Sequence, residues 1–358
     1  MMKRDADSYL EPGKVDPEIL QKFFSLLSLD DSVIVGPGIG EDAAVIDIGK
    51  RHIVVKTDPI TFTSQNAGWY VTNINANDIA CMGGIPRWFL VSILLPPDEK
   101  KAFLDKFFSS LKRSCEKLGI NLVGGHTEVT SSVKRPVVIG HMIGQLESNK
   151  PVSNKDAKIG DVVLLTKGLA IEGTHVIYQE KKKELKDKVP SQILHKIENF
   201  IENPGISVVE DAKLVFRNAD VHCLHDLTEG GLMAGIWEIA TASRVGIQIE
   251  EEKVPVFKET ELLCRLYNLN PLALLASGAL LVVTTPVNAK KLKSIFDKKG
   301  ILLTKIGKVV EPEKGVSILN ELKRKADKFS KVTQRYFGFF SKSGFSNELK
   351  DLSRKRED

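Results

Sequence analysis

A glycine-broken loop, Gly36-Pro37-Gly38-Ile39-Gly40-Glu41-Asp42-Ala43-Ala44, constrains this chain more than any other stretch. Glycines at alternate positions let backbone N–H groups approach an anion closely, because no Cβ intervenes. Two carboxylates, Glu41 and Asp42, follow at once. In a P-loop or a dinucleotide-binding fold such glycines open a helix. Here Ala44 to Asp47 and His52 to Thr57 are rich in Val and Ile around a Gly49-Lys50-Arg51 turn, which predicts strand, turn, strand. Neither Gly-Lys-Ser nor Gly-Lys-Thr occurs. Phosphate at this loop would have to be held largely through Mg2+ on the carboxylates. The same residues also fit a Pro/Gly hairpin with solvated acids.

A length of 358 residues exceeds what one core usually serves, so two domains are expected. The hydrophobic and charged fractions, 42% and 27%, are those of a soluble globular protein, and a net charge of +5 argues against a nucleic-acid face. Cys81, Cys115, Cys223 and Cys264 form no Cys-x-x-Cys pair, which points away from a structural zinc and toward a reducing compartment. The N-terminus, Met1-Met2-Lys3-Arg4-Asp5, is polar at once and shows no signal peptide. The longest apolar run, Leu272 to Val283, is too short to span a bilayer and contains Ser277-Gly278. The expectation is a cytoplasmic protein with no membrane contact.

Along the chain, Pro17 to Leu29 sets Ile19, Leu20, Phe23, Phe24, Leu26 and Leu27 at helical spacing, with Asp16 as N-cap. Trp69 to Met82 does the same through Val71, Ile74, Ile79 and Met82, and Gly83-Gly84-Ile85-Pro86 stops it. A strand over Trp88 to Leu95 and a helix over Pro97 to Leu118 follow. A short strand, Asn121-Leu122-Val123, then runs into Gly124-Gly125-His126-Thr127-Glu128, and Arg135 to Gln145 is another strand. Polar Leu146 to Lys158, with Asn149, Pro151 and Asn154, marks the expected domain boundary, giving domains over 1–148 and 149–320.

The second half reads as a strand over Val162 to Thr166, a helix near Gly173 to Gln179, a solvated run of mixed charge over Glu180 to Lys188, and a helix over Ser207 to Asn218. A strand over Val221 to Leu224 leads through His225-Asp226-Leu227-Thr228-Glu229-Gly230-Gly231 into a helix over Leu232 to Ser243. Leu280 to Thr284, Val287 to Lys299 and Thr304 to Val310 complete it as strand, helix and strand. The tail, 321–358, interleaves Lys and Arg with Phe329, Tyr336, Phe337, Phe339, Phe340 and Phe345. Such a mixture can contact nucleic acid or a membrane surface. Docking on its own domain or on a protein partner is the expectation here.

Five segments in order resemble one superfamily, that of aminoimidazole ribonucleotide (AIR) synthetase, thiamine monophosphate kinase, selenophosphate synthetase and the hydrogenase-maturation carbamoyl dehydratase. Gly40-Glu41-Asp42-Ala43-Ala44 is similar to its Gly-Asp-Asp-Ala-Ala, Thr57-Asp58 to its Thr-Asp, and Asn77-Asp78-Ile79-Ala80-Cys81-Met82-Gly83-Gly84-Ile85-Pro86 to its Asn-Asp-x-Ala-x-Met-Gly-Ala-x-Pro. Gly124-Gly125-His126-Thr127 sits where members carry Gly-Gly-Asp-Thr or Gly-Gly-Glu-Thr, and His225-Asp226-Leu227-Thr228-Glu229-Gly230-Gly231-Leu232 resembles the second-domain His-Asp motif. The resemblance spans residues 30 to 320. It implies an α/β (α+β) fold of two AIR synthase-like domains, a homodimer through the N-terminal sheets, and Mg-ATP phosphorylating an amide, carbonyl or phosphate oxygen of a small substrate.

Carried onto this chain, the resemblance implies that Asp42, Asp58 and Asp78 hold Mg2+. Gly38, Gly40, Glu41, Ala43, Asn77, Gly124, Gly125, Thr127 and Asp226 would line the nucleotide site, with Lys56, Asp58 and His126 at the chemistry. His126 departs from the family acid and is a nitrogen ligand that suits Mg2+ poorly. It could instead serve acid/base work or be a hydrogen-bonded loop residue. No cysteine follows Cys264, so the C-terminal thiol of the carbamoyl dehydratase has no counterpart here. The second domain still looks closer to that branch than to the kinase. The alternatives to a phosphorylating enzyme of this kind are a thiamine monophosphate kinase-like enzyme and a non-catalytic nucleotide-binding scaffold.

Overall fold

The computed structural model describes residues 15, 17–61, 65–148, 150–319 and 327–328. Asp16, and the tail beyond Glu321 apart from Asp327 and Lys328, lie outside the described residues. The first half contributes α1 (Pro17–Phe24), β1 (Val33–Val35), β2 (Ala44–Asp47), β3 (His52–Ile60), α2 (Ala67–Cys81), β4 (Gly84–Leu95), α3 (Lys101–Leu118), β5 (Asn121–Val129) and β6 (Val137–Leu146). Its six strands run in the order β1-β2-β3-β6-β4-β5, antiparallel except for β4 beside β5.

The second half contributes β7 (Val162–Thr166), α4 (Ile171–Leu185), α5 (Ser191–Glu198), α6 (Val209–Phe216), β8 (Cys223–Asp226), α7 (Gly231–Ser243), β9 (Gly246–Glu250), α8 (Lys258–Tyr267), β10 (Leu280–Thr284), α9 (Pro286–Lys298), β11 (Leu303–Val310), β12 (Val316–Leu319) and β13 (Asp327–Lys328). Its seven-stranded sheet has the order β13-β12-β9-β11-β7-β10-β8, with only β12 beside β9 parallel. The molecule is thus a two-domain α/β protein with a mixed sheet in each half.

Strand alternation decides how the first sheet is covered. On β6, Val138, Gly140, Met142, Gly144 and Leu146 are buried while the residues between them are partly or fully exposed, as expected when one face is packed. α2 lies on that face. A Cβ at Gly140 would come within 2.3 Å of the Asn75 side chain, and one at Gly144 within 2.3 Å of Ile79. The glycines therefore let the helix settle directly on the sheet.

All fifteen residues of α2 are buried, although its apolar positions predict only one buried face. α3 covers another side, and α6 and β8 of the second half meet the rest. The polar side chains on those sides are bonded: Asn73 Nδ2 donates to Ser114 Oγ at 2.8 Å, and Trp69 Nε1 to the Ile201 carbonyl at 3.0 Å. Asn77 donates from Nδ2 to the Ile206 carbonyl at 2.9 Å and accepts from the Val208 N–H at 2.8 Å. One continuous apolar core results, running from Val54 and Phe89 to Ile206, Val208 and Phe296.

Several boundaries differ from expectation: α1 stops at Phe24 rather than Leu29, and α4 runs from Ile171 to Leu185, into the charged run after Gln179. β4 begins at Gly84 rather than Trp88, because a bulge between Pro86 and Trp88 absorbs the proline within the ladder. β5 does not end at Val123 but continues through Gly124-Gly125-His126-Thr127, pairing with β4 as far as Val129. α3 starts at Lys101 because Pro96 to Glu99 form a turn first, with the Glu99 N–H on the Pro96 carbonyl. α5, α8, β1, β9, β12 and β13 are additions.

Replacing Asn77 by Ala leaves a buried N–H and a buried carbonyl without partners. Thermal unfolding is expected to show a loss of about 1 to 3 kcal/mol with native-like circular dichroism before the transition. An unchanged melting temperature would show that this bridge does not hold the halves together.

Candidate functional site

At the seam between the two halves, carboxylates converge from four separate segments. Lys56 and Asp58 point from β3 to its covered face, the side of Val54 and Ile60. Lys56 Nζ lies 3.4 Å from Asp58 Oδ2 and 3.3 Å from Asp78 Oδ2 on α2. Asp42, at the end of the glycine loop, accepts from His225 on β8, with Nδ1 to Oδ1 at 2.7 Å, while His225 Nε2 reaches Glu238 Oε2 on α7 at 2.9 Å. Asp42, Cys81 and Asp226 each present a ligand atom within 4.8 Å of the others.

The electrostatics reflect this crowding. Burial is the main force raising the Asp78 carboxyl well above the ordinary aspartate range; Lys56 opposes it, and Asp226, Asp58 and Asp42 add to it. Asp226 is pushed up to about 7 by burial and then by Asp42, against the pull of His225 and Lys56. For Lys56, burial favours loss of the proton, but Asp78, Asp58, Asp42 and Asp226 together more than reverse it and hold the ammonium charged. Burial likewise opposes His225, yet Asp42 and Glu238 raise it well above 6.5, so the ring is an imidazolium between two carboxylates.

The linker between the sheets fastens the glycine loop. Asn154 Nδ2 donates to the Gly40 carbonyl at 2.7 Å and lies 3.3 Å from Asp42 Oδ2. Glu41 is turned away from the aspartates: its Oε1 accepts from Ser153 Oγ at 2.8 Å and pairs with Lys155 Nζ at 3.1 Å. Gly40, at φ +76°, packs on the Glu238 carbonyl of α7, Gly38 lies beside Lys155, and Ala43 is buried next to Asp42. Loop and second half are thereby one unit.

Not every residue expected at the site is brought there. Asn77 uses both ends of its amide on the backbone at Ile206 and Val208, so its role is to join the halves rather than to face a nucleotide. Thr57, His141, Leu90 and Gly124 lie in one row across the sheet, next to the row of Asp58, Gly140, Val91 and Gly125. Gly124, Gly125, His126 and Thr127 therefore stand three strands from Asp58, roughly 14 Å away at the usual strand spacing. His126 pairs with Ser92, on the face opposite Asp58; its ring is exposed, 3.5 Å from Glu128. Within one chain His126 does not join the carboxylate cluster. His225, Glu238, Asn154 and Cys81 do join it. His225 and Cys81 stand inside motifs that the sequence shows, whereas no local pattern marks Asn154 or Glu238.

Residues 40–146 match the family described as AIR synthase related protein, N-terminal domain, and residues 158–320 match the corresponding C-terminal domain. The chain belongs to the AIR synthase related family. It is 25% identical over 317 residues to a putative hydrogenase expression/formation protein of Methanocaldococcus jannaschii, covering 86% of this chain and 91% of that one. It is 25% identical over 259 residues to the thiamine-monophosphate kinase of Aquifex aeolicus, covering 70% and 80%. The fold superposes on a structure described as AaThiL complexed with AMPPCP and TMP, with a TM-score of 0.67 at 21% identity, covering 87% of this chain and 93% of that one. No helix among the described residues is long and apolar enough to cross a membrane.

Within this AIR synthase related frame the donor set fits a hard divalent cation. Asp226 Oδ2 is buried without a hydrogen-bond donor among the described residues, and Asp78 Oδ2 faces Lys56 without a hydrogen bond of its own. The sign of the pH effect follows. Because the folded state holds the Asp226 proton more tightly than the unfolded chain, stability falls as pH rises from about 4 to about 7. Asp226→Asn should therefore raise the melting temperature of chelator-treated protein at pH 8 and leave it near wild type at pH 4. No gain at pH 8 would contradict this reading of the cluster.

Proposed function

We propose that this protein is an ATP- and Mg2+-dependent enzyme that phosphorylates an amide, carbonyl or phosphate oxygen of a small substrate. The observation behind this reading is the convergence of Asp42, Asp58, Asp78 and Asp226, from both halves of the chain, around Lys56. Phosphoryl transfer asks little covalent chemistry of a protein; it asks for positioning and neutralisation of phosphate charge. Asp42, Asp58, Asp78 and Asp226 would hold Mg2+, which would supply Lewis-acid neutralisation of phosphate charge.

The remaining roles fall to the chain itself. Lys56, fixed between Asp58 and Asp78 and 21% exposed, is a permanent positive charge beside the phosphates. The Gly38 to Gly40 turn, tied down by Asn154, offers backbone donors without a Cβ in the way. His225 holds Asp42 in one orientation and is itself held by Glu238. Asp58, a third exposed, is open to solvent beside Lys56, where a substrate oxygen could approach. Relatives described as a thiamine-monophosphate kinase and as a complex with AMPPCP support a nucleotide as the ligand.

The unit of function in this reading is a homodimer. Every residue of β5 is exposed, with Val123 and Val129 at 55% and 63%, and Trp88 on β4 is 40% exposed beside it. An open edge strand next to an apolar face is a surface that proteins ordinarily cover. A second copy would cover it, and His126 and Glu128 would then belong to the contact surface.

Mg-ATP at 100 times its dissociation constant should stabilise the protein by about 2.7 kcal/mol, a rise of about 4 °C for a unit of this length. Asp58→Asn should lose both this shift and release of ADP while keeping the wild-type melting temperature without ligand. Turnover unchanged in Asp58→Asn would remove that residue from the chemistry. For assembly, sedimentation velocity should give a dimer for the wild type and a monomer for Val123→Lys; a wild-type monomer would refute the dimeric unit.

A further inference from the structure

Cys81 ends α2 and is fully buried, and its Sγ lies 3.8 Å from Asp226 Oδ1. One ligand atom each from Asp42, Cys81 and Asp226 falls within 4.8 Å of the other two. Asp226 keeps a second buried oxygen, Oδ2, that has no hydrogen-bond partner among the described residues. We propose that Asp42, Cys81 and Asp226 form a site for a thiophilic divalent cation such as Zn2+ or Co2+, with Cys81 as its sulfur ligand.

The geometry suits such an ion. Metal bonds of about 2.3 Å to sulfur and about 2.1 Å to oxygen, at a tetrahedral angle, set the two donors roughly 3.6 Å apart. The Cys81 to Asp226 distance is already within a few tenths of that. A helix C-terminus adds negative potential where the cation would sit. Three protein ligands leave a fourth position for water or a phosphate oxygen, as in catalytic zinc sites. On binding, the metal–sulfur bond replaces the S–H bond and the thiol proton leaves to solvent. Asp42 is oriented for the purpose by His225. Magnesium would use the oxygens alone, since sulfur is a poor ligand for it.

The proposal shares its cluster with the phosphoryl-transfer reading, and a titration without nucleotide separates the two. Full-length, reduced protein is titrated with Co2+ and followed by near-ultraviolet absorbance and calorimetry. The wild type should develop a sulfur-to-cobalt charge-transfer band saturating at one equivalent. Cys81→Ala and the near-isosteric Cys81→Ser should lose the band and bind Co2+ at least about tenfold more weakly, while Cys115→Ser keeps it. Absence of the band from wild type, or its persistence in either folded Cys81 variant, would overturn the proposal and leave Cys81 as a buried donor to Asp226. Stabilisation by Mg-ATP without a cobalt band would overturn this inference alone. A Cys81-dependent band without Mg-ATP stabilisation would overturn the phosphoryl-transfer reading alone.

Discussion

The burial of α2 on every side is the constraint from which the rest follows. A helix lying on a sheet alone needs one apolar stripe, but this one also touches α3, α6 and β8. It carries Thr72, Asn73, Asn75, Asn77 and Asp78, each taken out of water, with Asn75 over Gly140 on the sheet side. A buried polar group is tolerable only with a partner, so the partners fix where everything else must be. Asn73 positions α3, Asn77 positions the start of α6, and Gly140 and Gly144 on β6 clear the space beneath. Asp78 is thereby delivered to the seam one turn before the helix ends.

The seam stores unfavourable charge that the fold alone does not resolve. Lys56 and the His225 imidazolium compensate part of it, yet Asp78 and Asp226 still hold their protons above the normal range. Such crowding costs stability in the ligand-free chain, and in the proposed function a cation would relieve it. Asp42 and Asp226 come from opposite halves, so that relief would act across their junction.

Much of the fold was legible in the sequence where one side chain in two, or one in three or four, is apolar. β2, β7, β10 and the helix after His225 lie where patterning places them. β5 could be read only as far as Val123, because Gly124-Gly125-His126-Thr127 lacks the alternation of a strand with one wet face; all its residues are exposed in the single chain. The carboxylates of the seam were legible only as members of motifs. Asp42 meets His225 across 183 positions, a contact that no local pattern reports. His126 shows the converse: strand register puts it on the far face of the sheet from Asp58, and register is invisible in a segment with two glycines. Asn77 stands next to Asp78 in the sequence and a different task falls to it, because successive helical positions point about 100° apart.

The central claim is that one phosphate and cation site is built from both halves at once. Calorimetric titration of a non-hydrolysable Mg-ATP analogue into wild type, Asp42→Asn and Asp226→Asn tests it most directly. The account predicts binding by the wild type and a loss of at least about tenfold in each variant, although the two residues lie on opposite sides of the seam. Wild-type affinity in either variant, or no binding by the wild type, would contradict it.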